Sequence, residues 1–235
     1  MNKKIAIIGI ATMLSAFSVS SATLDFREEY KHDENDWAGR VKIGGGAGNH
    51  FFGVEMKYTG NLSNLEGSDN EFEYGYKYTI NDRIKVSPGV LVNFGDTSVT
   101  YKPQVRLEYL FDNGVAIKIR YRHEIRNYSA GNTSTGRDGE SHDSLGRSKL
   151  TGNITYQWEF LQFDFEANYA EDFINKEWKM GTNDEYEWDY NLKVGFKNST
   201  KWRPYIEFGN VQCTSTIDCN SSRQLRSRVG ATYTF

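Results

Sequence analysis

Val115–Asn127 reads VAIKIRYRHEIRN, and taken alternately its letters fall into two sets. Val115, Ile117, Ile119, Tyr121, His123 and Ile125 form one; Lys118, Arg120, Arg122, Glu124 and Arg126 form the other. Alternation over this length specifies a β-strand, because successive side chains leave a strand on opposite faces. One face is oily and the other is strongly cationic. A soluble sandwich would turn such a polar face to water, yet solvation alone does not call for so many guanidinium groups.

The pattern recurs. Twelve period-two segments can be laid along the chain, roughly 23 to 31, 37 to 44, 51 to 59, 70 to 80, 83 to 95, 99 to 111, 115 to 127, 148 to 160, 161 to 171, 185 to 197, 201 to 211 and 223 to 235. Helical periodicity is missing throughout. Asn81-Asp82, Asp112-Asn113-Gly114 and Asn198-Ser199-Thr200 have tight-turn chemistry, whereas Ser129–Arg147 and Phe173–Asp184 are longer polar links. The oily faces carry aromatics near their ends, as in Phe72, Tyr74, Tyr76, Tyr78 or Tyr186, Trp188, Tyr190. An even strand number, short turns at one end, long loops at the other and interfacial aromatics predict an all-β, 12-stranded antiparallel transmembrane β-barrel with short periplasmic turns and longer extracellular loops.

The start of the chain agrees with export. Lys3 and Lys4 precede the apolar run Ile5–Val19 and the small residues Ser20, Ser21 and Ala22, the pattern of a signal peptide over residues 1–22. The barrel would then occupy 23–235 with a net charge of −5. That acidic balance gives no support to nucleic acid as a partner. The expected partners are the lipid bilayer of a Gram-negative outer membrane and a solute.

Ring closure places the charges. In a twelve-strand ring, strands six and seven lie opposite the seam between the last strand and the first. Strands six and seven would point Lys102, Arg106, Lys118, Arg120, Arg122 and Arg126 inward, and the seam would contribute Arg226, Arg228, Arg27, Arg40 and Lys42. The walls between these tracks carry Glu71, Glu73, Glu159, Asp164, Glu166 and Asp189. Separated signs across a low-dielectric-walled cavity would set up a transverse field. Arginine stays charged and binds carboxylates bidentately, so the tracks suit an acidic solute. The alternative is local pairing that merely packs the interior: Arg27 with Asp25 or Glu29, and Arg122 or Arg126 with Glu124.

TLDFREEY from Thr23, YKPQVRLEYLFDNGVAIKIRYRHE from Tyr101, KLTGNITYQWEF from Lys149, KWRPYIEFGNV from Lys201 and RQLRSRVGATYTF from Arg223 resemble the oligogalacturonate-specific porin family (KdgM type). The resemblance implies a monomeric twelve-stranded outer-membrane channel for acidic oligosaccharides. It carries over Arg106, Arg120, Arg122, Arg226 and Arg228 as pore residues. A sister branch of similar fold passes sialic acid, so sialic acid and a general anion porin stay open as alternatives.

Other chemistry is thin. His142-Asp143-Ser144 has the His-x-Ser order of the outer-membrane phospholipase, but lies in a Gly-rich polar loop. The glycine run Gly44–Gly48 has neither the Lys nor the helix of a phosphate loop and reads as a periplasmic turn. The histidines show no metal spacing, calcium at Asp172, Asp184 and Glu185 matches no known cage, and no cofactor is implied. Cys213 and Cys219 flank TSTID in the last link. Export through an oxidising periplasm predicts a disulfide between them.

Overall fold

A computed structural model describes residues 21–60, 63–180, 185–197, 201–213 and 222–235. Its strands are β1 (Ser21–Lys31), β2 (Asp36–Ala47), β3 (His50–Thr59), β4 (Glu66–Tyr76, resumed by Tyr78–Thr79) and β5 (Ile84–Phe94), then β6 (Ser98–Leu110), β7 (Ala116–Tyr128) and β8 (Ser144–Trp158). They continue with β9 (Leu161–Glu171), β10 (Tyr186–Phe196), β11 (Trp202–Gln212) and β12 (Arg223–Thr234). Each pairs antiparallel with its neighbours in sequence, and β12 pairs with β1, from Thr23↔Thr234 to Lys31↔Arg226. The ring is a closed twelve-stranded barrel. Closure gives each backbone donor and acceptor a neighbour and leaves no edge, which a sheet immersed in hydrocarbon requires.

The side-chain alternation is inside out relative to a soluble barrel. Phe72, Tyr74, Tyr156, Leu192, Phe208 and Val229 are exposed, while Glu29, Glu55, Glu71, Gln104, Glu124, Thr151, Asn191 and Glu207 are buried. The apolar set therefore faces the bilayer and the polar set fills the lumen. Trp188 stacks on Tyr190, and Tyr233 lies edge-on to Phe235, as expected of aromatics at the membrane interfaces.

The expected boundaries shift where local chemistry intervenes. The interruption of β4 falls opposite Pro88 on β5, which has no N–H for the ladder; the Lys77 N–H donates to the Asn49 carbonyl instead, at 2.8 Å. The glycine run is mostly strand: Gly44 to Gly46 pair with Phe51 to Gly53, and only Gly48, at φ 58°, turns the chain. β8 starts at Ser144 rather than 148 and stops at Trp158. Glu159 consequently sits in the β8–β9 turn at φ 51° and is not a lumen wall residue, contrary to expectation. The start of the expected signal peptide, up to Ser20, and the 198–200 turn lie outside the described residues.

A clasp on the inner surface secures the β11–β12–β1 seam. The Tyr205 ring crosses Gly230, and its hydroxyl reaches the Asp25 carboxylate at 3.2 and 3.3 Å. Thr232 donates to the same carboxylate at 2.7 Å. A Cβ at position 230 would stand 2.5 Å from the Tyr205 ring and from the Phe26 carbonyl oxygen, whereas one at Gly152 would meet nothing within 4 Å. Gly230→Ala should therefore lower unfolding stability by about 1–3 kcal/mol, the cost of overpacking. Gly152→Ala should stay within about 0.5 kcal/mol of the parent in the same urea titration in lipid.

Candidate functional site

The lumen is the site, and strand parity builds it. β6 and β7 turn Lys102, Arg106, Lys118, Arg120, Arg122 and Arg126 inward, on the same faces as buried Gln104 and Glu124. β12, β1 and β2 do the same for Arg226, Arg228, Arg27, Arg40 and Lys42, on the faces of buried Gln224 and Glu29. All eleven expected cations thus face the interior.

Their partners divide them. Arg40 binds Glu55 at 2.8 Å and Asp25 at 3.2 Å; Lys42 binds Glu73 at 2.9 Å; Lys102 binds Glu71 at 2.7 Å. Arg228 bridges Glu29 and Glu207. Arg122 donates to Gln104 at 3.0 and 3.3 Å and lies 3.6 Å from Glu124. Lys118 is 3.6 Å from Glu108. For this group local pairing is the principal contact, and carboxylates stand within the basic tracks themselves. The clean separation of sign expected across the lumen is correspondingly reduced, because acids at matching depth reach the cations from the same strand (Glu124), the adjoining one (Asp25, Glu55) or the next beyond it (Glu71, Glu73).

A second group keeps more of its charge for the lumen. Arg27 has one distant carboxylate, Glu29 at 4.0 Å. Arg226 donates to Asn191 at 2.7 Å and is 3.8 Å from Glu29. Arg120 donates to the Thr151 hydroxyl at 3.0 Å, and among the described residues neither it nor Arg106 has a carboxylate within ion-pairing distance. A chain of hydrogen bonds along the wall joins the two tracks. Thr151 donates to Asn168 at 2.8 Å, Asn168 to Glu166 at 2.8 Å, and Asn191 to Glu166 at 3.2 Å while accepting from Arg226.

Arg27, Arg120, Arg226 and Arg228 line one cavity of about 420 Å³, together with Lys149, Lys193, Asp164, Glu166, Asp189 and Glu207. Lys149 and Lys193 were not singled out in the sequence. Neither stands in the strands read as basic tracks, although period two alone places both inward. Lys193 lies 3.8 Å from the centre of the Tyr205 ring, a cation–π contact that leaves its charge uncancelled.

The extracellular mouth holds a feature that the sequence does not announce. The segment after β9 turns back over the lumen, burying Trp178 and Met180 with Leu145 and Ala170. The Trp178 ring lies 4.6 Å from the Arg126 guanidinium and 4.7 Å from that of Arg147. Arg126 therefore meets Trp178 rather than Glu124, and Arg147 takes Glu124 at 2.7 Å. Asp172 holds the segment: its carboxylate accepts from the N–H groups of Ile174, Asn175, Glu177 and Trp178 at 2.8 to 3.2 Å. Burial pushes this carboxyl up, but the N–H donors outweigh burial and hold it below the usual carboxylate range.

With its oxygens so engaged, Asp172 serves the backbone of this segment; Glu185 binds Arg137 at 3.0 Å, and Asp184 lies outside the described residues. His142 and Ser144 do not pair. Ser144 donates to Asn127 at 2.7 Å, while the imidazole faces Asp138 and Glu177, so the His-x-Ser order builds no nucleophile and base. Cys213 is buried at the end of β11; Cys219, its expected partner, lies outside the described residues.

Known proteins match both the sequence and this architecture. The family described as oligogalacturonate-specific porin protein (KdgM) matches residues 15–235. The oligogalacturonate-specific porin KdgM of Dickeya dadantii is 29% identical over 251 aligned positions, covering 97% of this chain and 99% of the relative. An uncharacterised protein, YiiY, of Salmonella typhimurium is 28% identical over 74% of this chain and 69% of its own length. A KdgM porin structure in complex with disordered oligogalacturonate has a TM-score of 0.65 at 25% identity, covering 91% of this chain and 99% of that one. A NanC porin structure reaches 0.76 at 17% identity, covering 89% and 98%, a likeness of fold.

Two predictions come from the geometry. Arg120→Ser and Arg226→Ser should each lower the anion preference of the channel, read as reversal potential in a salt gradient, with little loss of stability. Arg228→Ser should also destabilise the barrel, by less than about 3 kcal/mol because lumen water relieves part of the burden on Glu29 and Glu207. Asp172→Ala should leave the barrel folded yet expose 172–180 to protease. In the parent, docking of this segment should be complete above the ordinary aspartate pKa and be lost only as pH falls through the depressed value of Asp172.

Proposed function

This chain belongs to the family of oligogalacturonate-specific porins, and on that premise we propose that short linear oligogalacturonates cross its lumen by exchanging carboxylates between arginines. The protein is a β-barrel channel of the Gram-negative outer membrane. One observation carries the choice of solute: Arg27, Arg120 and Arg226 meet at one cavity with less carboxylate compensation than their neighbours. Lumen-facing residues two apart on a strand are about 6.6 Å apart. A linear polyuronate can therefore engage the next cation before releasing the last, as multi-site conduction requires. Arg40, Lys42, Lys102, Lys118, Arg122 and Arg228, with Arg106 and Arg126, complete the tracks and act chiefly through the field they help to set.

The paired cations serve this role too. A cation already paired with lumen carboxylates, as Arg40 and Arg228 are, holds an arriving solute carboxylate only weakly, so binding stays shallow enough for release. Selectivity for anions then depends on local potential at the constriction and not on the net charge of the chain. High salt should weaken it by screening. In this reading the barrel works as a monomer without a catalytic role. Residues 1–22 are removed as a signal peptide, and Cys213 is bridged to Cys219, stiffening the mouth without being needed for closure.

Liposome swelling with the purified protein tests the solute. Trigalacturonate should enter faster than a neutral trisaccharide of similar mass, with monomeric acidic sugars, sialic acid among them, gaining less. Equal rates for the charged and neutral trisaccharides would make the pore a general one. The bridge is tested separately: denatured, unreduced protein should show no titratable thiol, and two free groups would rule it out.

A further inference from the structure

Two extracellular connections meet above the pore at a cluster outside the arginine-lined cavity. The 129–143 link folds into a small hairpin, Ser134–Thr135 against Ser141–His142. The Arg137 N–H then donates to the Glu177 carbonyl at 2.8 Å, fixing this hairpin to the segment after β9. Asp138 and His142 from one connection and Glu177 from the other each offer a donor atom, all within 4.8 Å of one another. His142 Nε2 is 3.1 and 3.0 Å from the two Asp138 oxygens, and Nδ1 is 3.6 Å from Glu177 Oε2.

We propose that Asp138, His142 and Glu177 form a divalent transition-metal site, best suited to Zn²⁺, that ties the two connections together at the pore mouth. One imidazole and two carboxylates are a zinc donor set that leaves positions for water. Calcium prefers an all-oxygen shell with more ligands. Metal–ligand bonds of about 2.0–2.2 Å place tetrahedral donors about 3.3 Å apart. His142 and Asp138 already stand near that spacing, and Glu177 closes by a side-chain swing. The site is also open: a Cβ at Gly136 would lie 2.6 Å from Asp138 Oδ1 and 2.8 Å from His142 Nε2, so glycine leaves the donors room. All three side chains retain solvent access.

The ion would act on the pore through the chain. Glu177 immediately precedes Trp178, whose ring covers Arg126 and Arg147. Metal binding at Glu177 therefore adds a second tether, beside that of Asp172, to the cap that Trp178 forms over both arginines.

Isothermal titration of the full folded chain in detergent, metal-stripped beforehand, tests the site independently of sugar transport. Heat-modifiable gel migration verifies that each variant is folded. Zn²⁺ should bind at one per chain, and His142→Ala and Glu177→Gln should each weaken it at least about tenfold, since losing a ligand should cost no less than losing an outer-shell partner that orients one. Ca²⁺ at equal concentration should not compete. Three results would overturn the proposal: no saturable Zn²⁺ binding, leaving a hydrogen-bonded clamp; binding unchanged in both variants, assigning the ion to other histidines; or Ca²⁺ binding as tightly as Zn²⁺.

Discussion

A strand crossing a bilayer must find a partner for every backbone N–H and C=O on its neighbours, since hydrocarbon offers none. The β12–β1 pairing meets that requirement by closing the ring. The rest of the molecule depends on it. Once the ring is closed, each strand has one face toward lipid and one toward the lumen, and period two decides which residue goes where. The buried set is then Glu29, Glu71, Glu124, Thr151 and Glu207, and the exposed set is Phe72, Leu192 and Val229.

A lumen so rich in guanidinium groups could not stay ordered without counter-charges. Arg40 and Arg228 each take two carboxylates, and Lys42 and Lys102 take one each at under 3 Å. These pairs position the tracks but lower their capacity for solute. The division between paired and less compensated cations is therefore a division of labour. Arg27, Arg120 and Arg226 present charge at the cavity, while polar side chains such as Thr151 and Asn191 orient two of them without neutralising them.

The barrel was legible because period two is the least ambiguous pattern a sequence carries, and the stretch from Val115 to Asn127 shows it without interruption. The same pattern placed all eleven expected cations inside. Their partners were not legible: Arg40 meets Asp25 and Glu55 across strands, a matter of register, which alternation leaves free. Pro88 breaking the β4 ladder and Glu159 turning at φ 51° were likewise local events hidden by a smooth reading of strands. The Trp178 cap and the Asp138, His142 and Glu177 cluster depend on loops folding back, for which a polar sequence gives no period to read.

The seam clasp bears on how such a molecule reaches its final state. The contacts of Tyr205 and Thr232 with Asp25 join residues 180 and 207 positions apart. Contacts of that separation bear the largest loop-closure entropy and form late in assembly. The last contacts made are also ones whose loss must precede opening, so interactions absent until the end of assembly slow unfolding without slowing the earlier steps. A tyrosine laid over a glycine thus contributes persistence, a rate property, to a protein that must remain in the membrane long after it is made.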